Sequence, residues 1–301
     1  MPQTVGVPEL PEVEGLAAFL RERLVGRVVA RVEVGALNVL KTYDPPTTAL
    51  HGLLVSGVER RGKWLDVDVD GLHLAVHLSR AGWLRWSDAL PRAPLKPGGK
   101  NPVALRVRLA PEDDEDPGTP PGFDLTEAGT QKRLAVHVVR DVAQVPGIAT
   151  LGPDPLDDSF DLAAFRALLA GSRQQVKGLL REQSVLAGVG NAYSDEVLHV
   201  AKLSPYAVSG KLPEADVERL YAALRTTLRD AVAAAGGKPA KELKDAKRAG
   251  MRVHGRTGEA CPECGDVVRE VSFADRSMQY CATCQTGGRP LADRRLSRLL
   301  K

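Results

Sequence analysis

From Pro11 onward, Val13, Leu16, Ala17, Leu20 and Leu24 recur at three- and four-residue intervals and Gly26 closes the run. This spacing predicts an amphipathic helix of about four turns, with proline at its first position. The period then changes to two. Between 27 and 34, Val28, Ala30, Val32 and Val34 alternate with Arg27, Arg31 and Glu33; between 64 and 70, Leu65, Val67 and Val69 alternate with Trp64, Asp66, Asp68 and Asp70. Such alternation predicts strands with one face in a core and the other in solvent. Further strand-like runs at 72–78, 103–109 and 134–139 complete a mostly antiparallel sandwich or flattened barrel carrying one N-terminal helix. The run 111–121, with Glu112, Asp113, Asp114, Glu115 and Asp116 among prolines and glycines, interrupts the strands as an exposed loop with solvated carboxylates.

The segment 146–155, PGIATLGPDP, reads as a linker, and beyond it the spacing is helical again at 162–169, 176–180, 195–200 and 214–235. In the last of these Val217, Leu220, Ala223, Leu224, Leu228 and Val232 lie on one stripe. The fold class is therefore α+β and multidomain. Residues 8–145 form an N-terminal β-sandwich domain behind an extension, 1–7, and 156–236 form a helical domain. A polar stretch, Lys238–Arg252, leads to a small module at 253–287 and a basic tail at 288–301.

Composition narrows the function classes. A chain of 301 residues, 43% hydrophobic and 26% charged, can build two ordinary cores, which excludes low-complexity and fibrous proteins. No window reaches the roughly eighteen apolar residues of a membrane span, so a cytoplasmic protein without membrane partners is expected. The net charge of +3 is uneven: residues 241–301 carry thirteen Lys and Arg against eight Asp and Glu, leaving the remainder slightly acidic. All four cysteines form two CxxC pairs, Cys261 with Cys264 and Cys281 with Cys284, sixteen residues apart. Two such turns close a tetrahedron of four thiolates around one zinc ion with no open position, so the metal is structural. Between the pairs Val267, Val268, Val271 and Phe273 fit a β-hairpin with Arg276 at its tip.

A glycine-rich turn, Gly188-Val-Gly190-Asn191, separates two helical stretches. It is either a tight interhelical turn or an anion site, where backbone N–H groups at a helix start grip a DNA phosphate. No strand precedes it, so it is not a dinucleotide fingerprint.

Pro8–Glu14 (PELPEVE), 183–196 (QSVLAGVGNAYSDE) and 253–284, with its CPEC and CATC pairs, resemble in order the bifunctional formamidopyrimidine-DNA glycosylase / endonuclease VIII family. The resemblance spans Pro8 to about Gln285. It implies a β-sandwich with an N-terminal helix, a helix–two-turn–helix domain and a C-terminal hairpin zinc finger. It also implies a base-excision-repair DNA glycosylase with AP lyase activity that needs only zinc as cofactor. Such an enzyme acts as a monomer on double-stranded DNA containing damaged, chiefly oxidised, bases or abasic sites, held in the cleft between its domains. In this family the amine of an N-terminal proline attacks C1′, releases the base and leaves a Schiff base that drives β- and δ-elimination. The resemblance assigns Pro8 as that nucleophile, Glu9 as the acid that protonates the sugar oxygen, and Lys63 as the hairpin lysine on the lesion phosphate. It assigns Asn191 and Arg276 as phosphate grips beside Gly188 and Gly190, and Glu196 as a structural carboxylate. An α-amino group titrates at about 8 and a lysine at about 10.4, so the terminal amine is the better nucleophile at cell pH.

The chain departs from the family pattern at four places. Pro8 follows seven residues, and a proline inside a peptide bond offers no amine lone pair; initiation at Val7 followed by methionine removal would expose it. Arg80 stands where the family inserts a methionine into the gap left by the everted base, with Trp83 and Trp86 nearby as core residues. Lys132-Arg133-Leu134 replaces the family's Arg-Arg-Phe wedge, which makes Arg133 a DNA contact. Lys238–Arg252 is short where oxidised-purine enzymes carry a lesion-capping loop. The lesion therefore stays open. An AP lyase with little glycosylase activity and a non-catalytic binder of damaged DNA remain as alternatives.

Overall fold

The computed structural model describes residues 7–98, 102–112, 119–128, 132–273 and 277–292. The extension up to Gly6, most of the acidic insertion, Arg276 and the tail from 293 lie outside these residues. The chain forms two compact units, Met1–Thr150 with Ala235–Lys244, and Leu151–Ala234 with Asp245–Lys301.

In the first unit, helix α1 (Leu10–Leu24) begins one residue earlier than the sequence predicts, so Pro11 sits inside its first turn. Glu9 precedes it in extended conformation and forms a capping box with Glu12: its N–H donates to the Glu12 carboxylate at 2.8 Å, and its own carboxylate accepts from the Glu12 N–H. Leu10, Val13, Leu16, Ala17, Leu20 and Leu24 are all buried. Each leucine buried in this way contributes about 1.5–3 kcal/mol, and this stripe fixes the helix on the sandwich.

Eight strands form the sandwich: β1 (Val29–Val34), β2 (Val55–Arg61), β3 (Trp64–Val69), β4 (Leu72–His77), β5 (Gly82–Ser87), β6 (Val103–Leu109), β7 (Gly122–Glu127) and β8 (Ala135–Val139). They pair antiparallel in two four-stranded sheets, ordered β1-β6-β7-β5 and β2-β3-β4-β8. Their facing sides share one core with α1, into which Val32, Leu65, Val67, Leu74, Leu105 and Phe123 project.

The outer faces are not solvated as the alternation predicts. Asp66 is only 2% exposed; its carboxylate accepts from Arg61 Nε at 2.8 Å and bonds His73 Nδ1 at 2.9 Å. On the other sheet Arg106 makes a bidentate pair with Asp124 at 2.7 and 2.8 Å, and Arg108 pairs with Glu33. Loop segments cover both faces: Leu95 N–H reaches Glu33, while Val145 and Ile148, the latter in the short helix α2 (Pro146–Ala149), pack around Trp64. Charged side chains stay there because each one has an opposite charge to satisfy it.

The second unit opens with α3 (Leu162–Leu169), capped by the Asp161 carboxylate on Ala164 N–H, followed by α4 (Val176–Arg181), α5 (Asn191–Val200) and α6 (Glu214–Ala235). Phe160, Phe165 and Tyr221 stack on one another at centroid distances of 5.7–6.2 Å and tie α3 to α6. The stretch 238–252 is more than a polar lead. It folds as a turn and the helix α7 (Leu243–Gly250), and Ala240 and Leu243 are buried in the sandwich core of the first unit. The zinc module is a hairpin of β9 (Val268–Ser272) and β10 (Ser277–Cys281) followed by α8 (Ala282–Thr286).

Candidate active site and zinc centre

Pro8 and Glu9 are both buried at the start of α1. Two bonds hold this helix on β2: Arg60 Nε donates to Glu14 at 2.7 Å and Arg21 Nε donates to the Val58 carbonyl at 3.0 Å. Lys63 occupies the tight turn that joins β2 to β3, two residues beyond the end of the strand tied to Glu14.

Next to Lys63 stands His77, its ring 4.9 Å from that of Trp64. Burial, reinforced by the Lys63 charge, lowers its pKa from 6.5 to about 4. The folded state therefore resists a proton that the unfolded chain accepts. Stability from this group is full above pH 6.5 and is lost as the pH falls to about 4, an effect on the order of 3 kcal/mol at about 1.4 kcal/mol per pH unit. Burial lowers the pKa of His137 as well, reinforced by the Lys41 charge. Denaturant titrations of the wild type and His77→Phe at pH 7 and pH 4.5 are expected to show a smaller acid loss in the variant. Equal losses would refute this account.

Arg80 lies exposed in the turn between β4 and β5. This turn is closed by Gly82, whose N–H donates to the Leu78 carbonyl at 2.9 Å. A Cβ on residue 82 would lie 2.1 Å from that oxygen, so only glycine fits. Arg133 is also exposed. Its segment is held by Glu127, a buried carboxylate that accepts from the N–H groups of Arg133 and Leu134 at 2.5 and 2.7 Å. Lys132 Nζ donates to the Glu127 carbonyl. The structure brings the two arginine segments together, because Ser79 Oγ donates to the Arg133 carbonyl at 2.6 Å. Sequence reasoning missed both Ser79 and Glu127; the only local signal was a carboxylate at the end of a strand. Trp83 is a core residue and Trp86 packs edge-on against Phe19 at 6.1 Å.

In the second unit one expected anion contact fails. Gly188 has φ +85°, a left-handed backbone that favours glycine, but its N–H donates to Gln183 Oε1 at 3.0 Å and is not open to a phosphate. Gln183 spends its amide on the carbonyls of Arg181 and Val189, so this side chain organises the turn. Gly190 caps α5 in extended conformation and Asn191 is the first helical residue. Asn191 Nδ2 donates to the Ser277 carbonyl at 2.8 Å, while its Oδ1 is buried with no hydrogen-bond partner among the described residues. Asn191 is thereby tied to the first residue of β10, which follows Arg276 in the chain.

A buried ion network strengthens the same link. Lys177 Nζ donates to Asp195 Oδ1, Ser194 Oγ and the Asn191 carbonyl at 2.5, 2.8 and 3.1 Å, while Asp195 Oδ2 takes His254 Nδ1 and the N–H of Gln279. All three ammonium protons are satisfied, which a buried lysine requires. Glu196 accepts from the N–H groups of Arg252, Val253 and His254 at 2.7, 3.0 and 2.8 Å. Burial pushes its pKa up despite those three donors, and its role is to hold the segment that enters the zinc module.

The four cysteine sulfurs lie within 4.8 Å of one another, with Cys261–Cys284 at 3.9 Å and Cys264–Cys281 at 3.4 Å. Four thiolates at about 2.3 Å from a tetrahedral zinc stand about 3.8 Å apart, so the cluster fits the ion. His199 Nε2 lies 3.2 Å from Cys261 Sγ and joins helix α5 to the cluster.

Comparison with known proteins agrees with this arrangement. The formamidopyrimidine-DNA glycosylase N-terminal domain matches residues 7–139, the H2TH domain of the same enzymes matches 151–241, and the zinc finger found in FPG and IleRS matches 258–287. A formamidopyrimidine-DNA glycosylase of Moorella thermoacetica is 34% identical over 273 residues, covering 88% of this chain and 94% of the relative. The chain belongs to the formamidopyrimidine-DNA glycosylase family. A formamidopyrimidine-DNA glycosylase-like protein of Mycobacterium tuberculosis is 57% identical over 160 residues, 53% of this chain and the whole of that protein. The Lactococcus lactis Fpg solved with a DNA containing N7-benzyl-Fapy-dG superposes with a TM-score of 0.79 at 28% identity, covering 93% of this chain and all of that one. The matched finger and the four-sulfur cluster assign one structural zinc ion to this family member. No helix among the described residues is long and apolar enough to cross a membrane.

Proposed function

We propose that this chain is a base-excision-repair DNA glycosylase with AP lyase activity, acting as a cytoplasmic monomer on damaged double-stranded DNA. The observation that carries the reading is the family-matched N-terminal domain, which starts at Val7 and sets Pro8 and Glu9, both buried, at the head of α1. With its amine exposed, Pro8 attacks C1′ of the everted nucleotide, the C1′–N bond to the base breaks, and the departing base takes up the proton that the Pro8 nitrogen loses. Glu9 gives a proton to the ring oxygen as the sugar opens, and the nitrogen lone pair of Pro8 closes the iminium. Loss of the C2′ proton then expels the 3′ phosphate, and a second elimination expels the 5′ phosphate. Lys63 neutralises the phosphate beside the lesion, Arg80 and Arg133 fill the gap in the duplex, and Gly190, Asn191 and Arg276 grip the backbone. Zinc takes no part in these steps; Cys261, Cys264, Cys281 and Cys284 hold it to fix the hairpin that carries Arg276.

The test uses duplexes bearing a single oxidised purine or an abasic site, resolved on a denaturing gel. Release of the base with a nick flanked by phosphates is expected; tight binding of both duplexes with no nick would leave a damaged-DNA binder. One observation favours a second reading. The stretch 238–252 forms a turn and α7, partly buried in the sandwich core, where lesion-capping relatives carry a longer loop. An enzyme of this shape holds a base lesion less tightly than an abasic site, and the same gel separates the two by their rates.

A further inference from the structure

Ser79 carries a backbone strain that its surroundings explain. It is one of three non-glycine residues with positive φ among the described residues, at φ +55°. In that conformation its hydroxyl meets two partners, donating to the Arg133 carbonyl at 2.6 Å and lying 3.0 Å from His77 Nδ1. A hydroxyl has one proton, and the carbonyl takes it, so the imidazole donates from Nδ1 and its tautomer is set. A residue in the left-handed region persists only where contacts over-determine it, and such residues cluster at working sites. The residue after Ser79 is Arg80, and the residue it holds is Arg133. From the other side the buried carboxylate of Glu127 accepts from the N–H groups of Arg133 and Leu134.

We infer that Ser79 and Glu127 are positioning residues that clip the Arg80 turn and the Arg133 segment into one two-arginine element, which enters the duplex as a unit. This rests on the proposed contacts of Arg80 and Arg133 with DNA. An arginine side chain has several rotatable bonds, and a gap in the base stack accepts only a group already aimed at it. The clip fixes the backbone beneath both side chains before DNA arrives, so the ordering cost falls on folding and not on base eversion. The element matters most when a stacked, paired base must be held out of the helix, and least at an abasic site, where nothing has to be unstacked.

The test is single-turnover kinetics of the full chain, with Pro8 exposed, on a duplex with an oxidised purine and on one with a preformed abasic site. 2-Aminopurine opposite the lesion reports how far the gap is filled. Glycine adopts φ +55° without strain, so Ser79→Gly keeps the turn and deletes only the clip. Ser79→Gly is expected to slow base excision about five- to twentyfold, to change nicking of the abasic duplex less than twofold, and to raise 2-aminopurine emission. Glu127→Gln retains the accepting oxygen and is expected to behave as wild type, whereas Glu127→Ala is expected to follow Ser79→Gly. If Arg80→Ala and Arg133→Ala slow excision but Ser79→Gly does not, the arginines act without the clip and the inference is wrong. If neither arginine variant changes excision or 2-aminopurine emission, the assignment of the arginines to DNA fails, and the clip has nothing to position.

Discussion

Protein beginning at Pro8 is expected to form an adduct with an abasic-site duplex that borohydride makes permanent, and protein carrying the seven preceding residues is expected to form none. The difference follows from one lone pair. An α-amino group with a pKa of about 7.8 is neutral in roughly a third of molecules at pH 7.5, and a lysine ε-amine at about 10.4 in roughly a thousandth. A proline nitrogen inside an amide has its pair delocalised into the carbonyl and attacks nothing. A loss of at least ~10³ in trapping is therefore expected when Val7 stays attached to Pro8. Pro8→Gly, which presents a primary amine at the same place, is expected to retain slower trapping. Denaturing electrophoresis with intact mass and N-terminal sequencing of each form decides the matter. Adducts from both forms would move the nucleophile to another amine, with Lys63 first among them; no adduct from verified Pro8 protein would remove the lyase assignment.

The parts of the site that the sequence displayed are those whose chemistry is local. Two CxxC turns announce a zinc site wherever they fold, and the helix before Leu24 and the stripe along 214–235 are written in residues three and four apart. Strands β2, β5 and β7 went unread: β2 shifts register between Val55 and Gly57, β5 carries Trp83 among its alternating positions, and β7 is a short alternation of Phe123 and Leu125 with Asp124 beside the acidic loop. The partial burial of Asp124 depends on Arg106 on a neighbouring strand, and partners distant in sequence leave no period to read. Asp66 was placed in solvent for the same reason, since His73 lies seven residues away on the next strand. The glycine turn was recognised, yet the capture of Gly188 N–H by Gln183 depends on how a side chain folds back. In 238–252 two apolar residues among many charges bury a turn that composition marked as polar. Function was legible through motifs; the clip that aims Arg80 and Arg133 depends on contacts between residues 79 and 133, which no motif records.

Glu9→Gln is expected to separate the two activities of the enzyme. Removing a positioned general acid costs about 10²–10⁴-fold, and the full loss falls on base excision, where the ring oxygen takes its proton as Pro8 attacks C1′ and the base departs. An abasic sugar opens by itself, so Pro8 can capture its aldehyde without that proton, and trapping on a preformed abasic site is expected to fall less than tenfold. The substitution is a clean one here. Glu9 is 2% exposed and in extended conformation, its N–H is fixed by Glu12 at 2.8 Å, and glutamine has the same shape, so α1 and Pro8 stay in place. Single-turnover base release and borohydride trapping, measured on the same preparation, give the two numbers. A parallel fall in both would mean that Glu9 orients Pro8 and does not act as the acid. No fall in base release would mean that the proton comes from another group, and Glu9 would then be a helix cap alone.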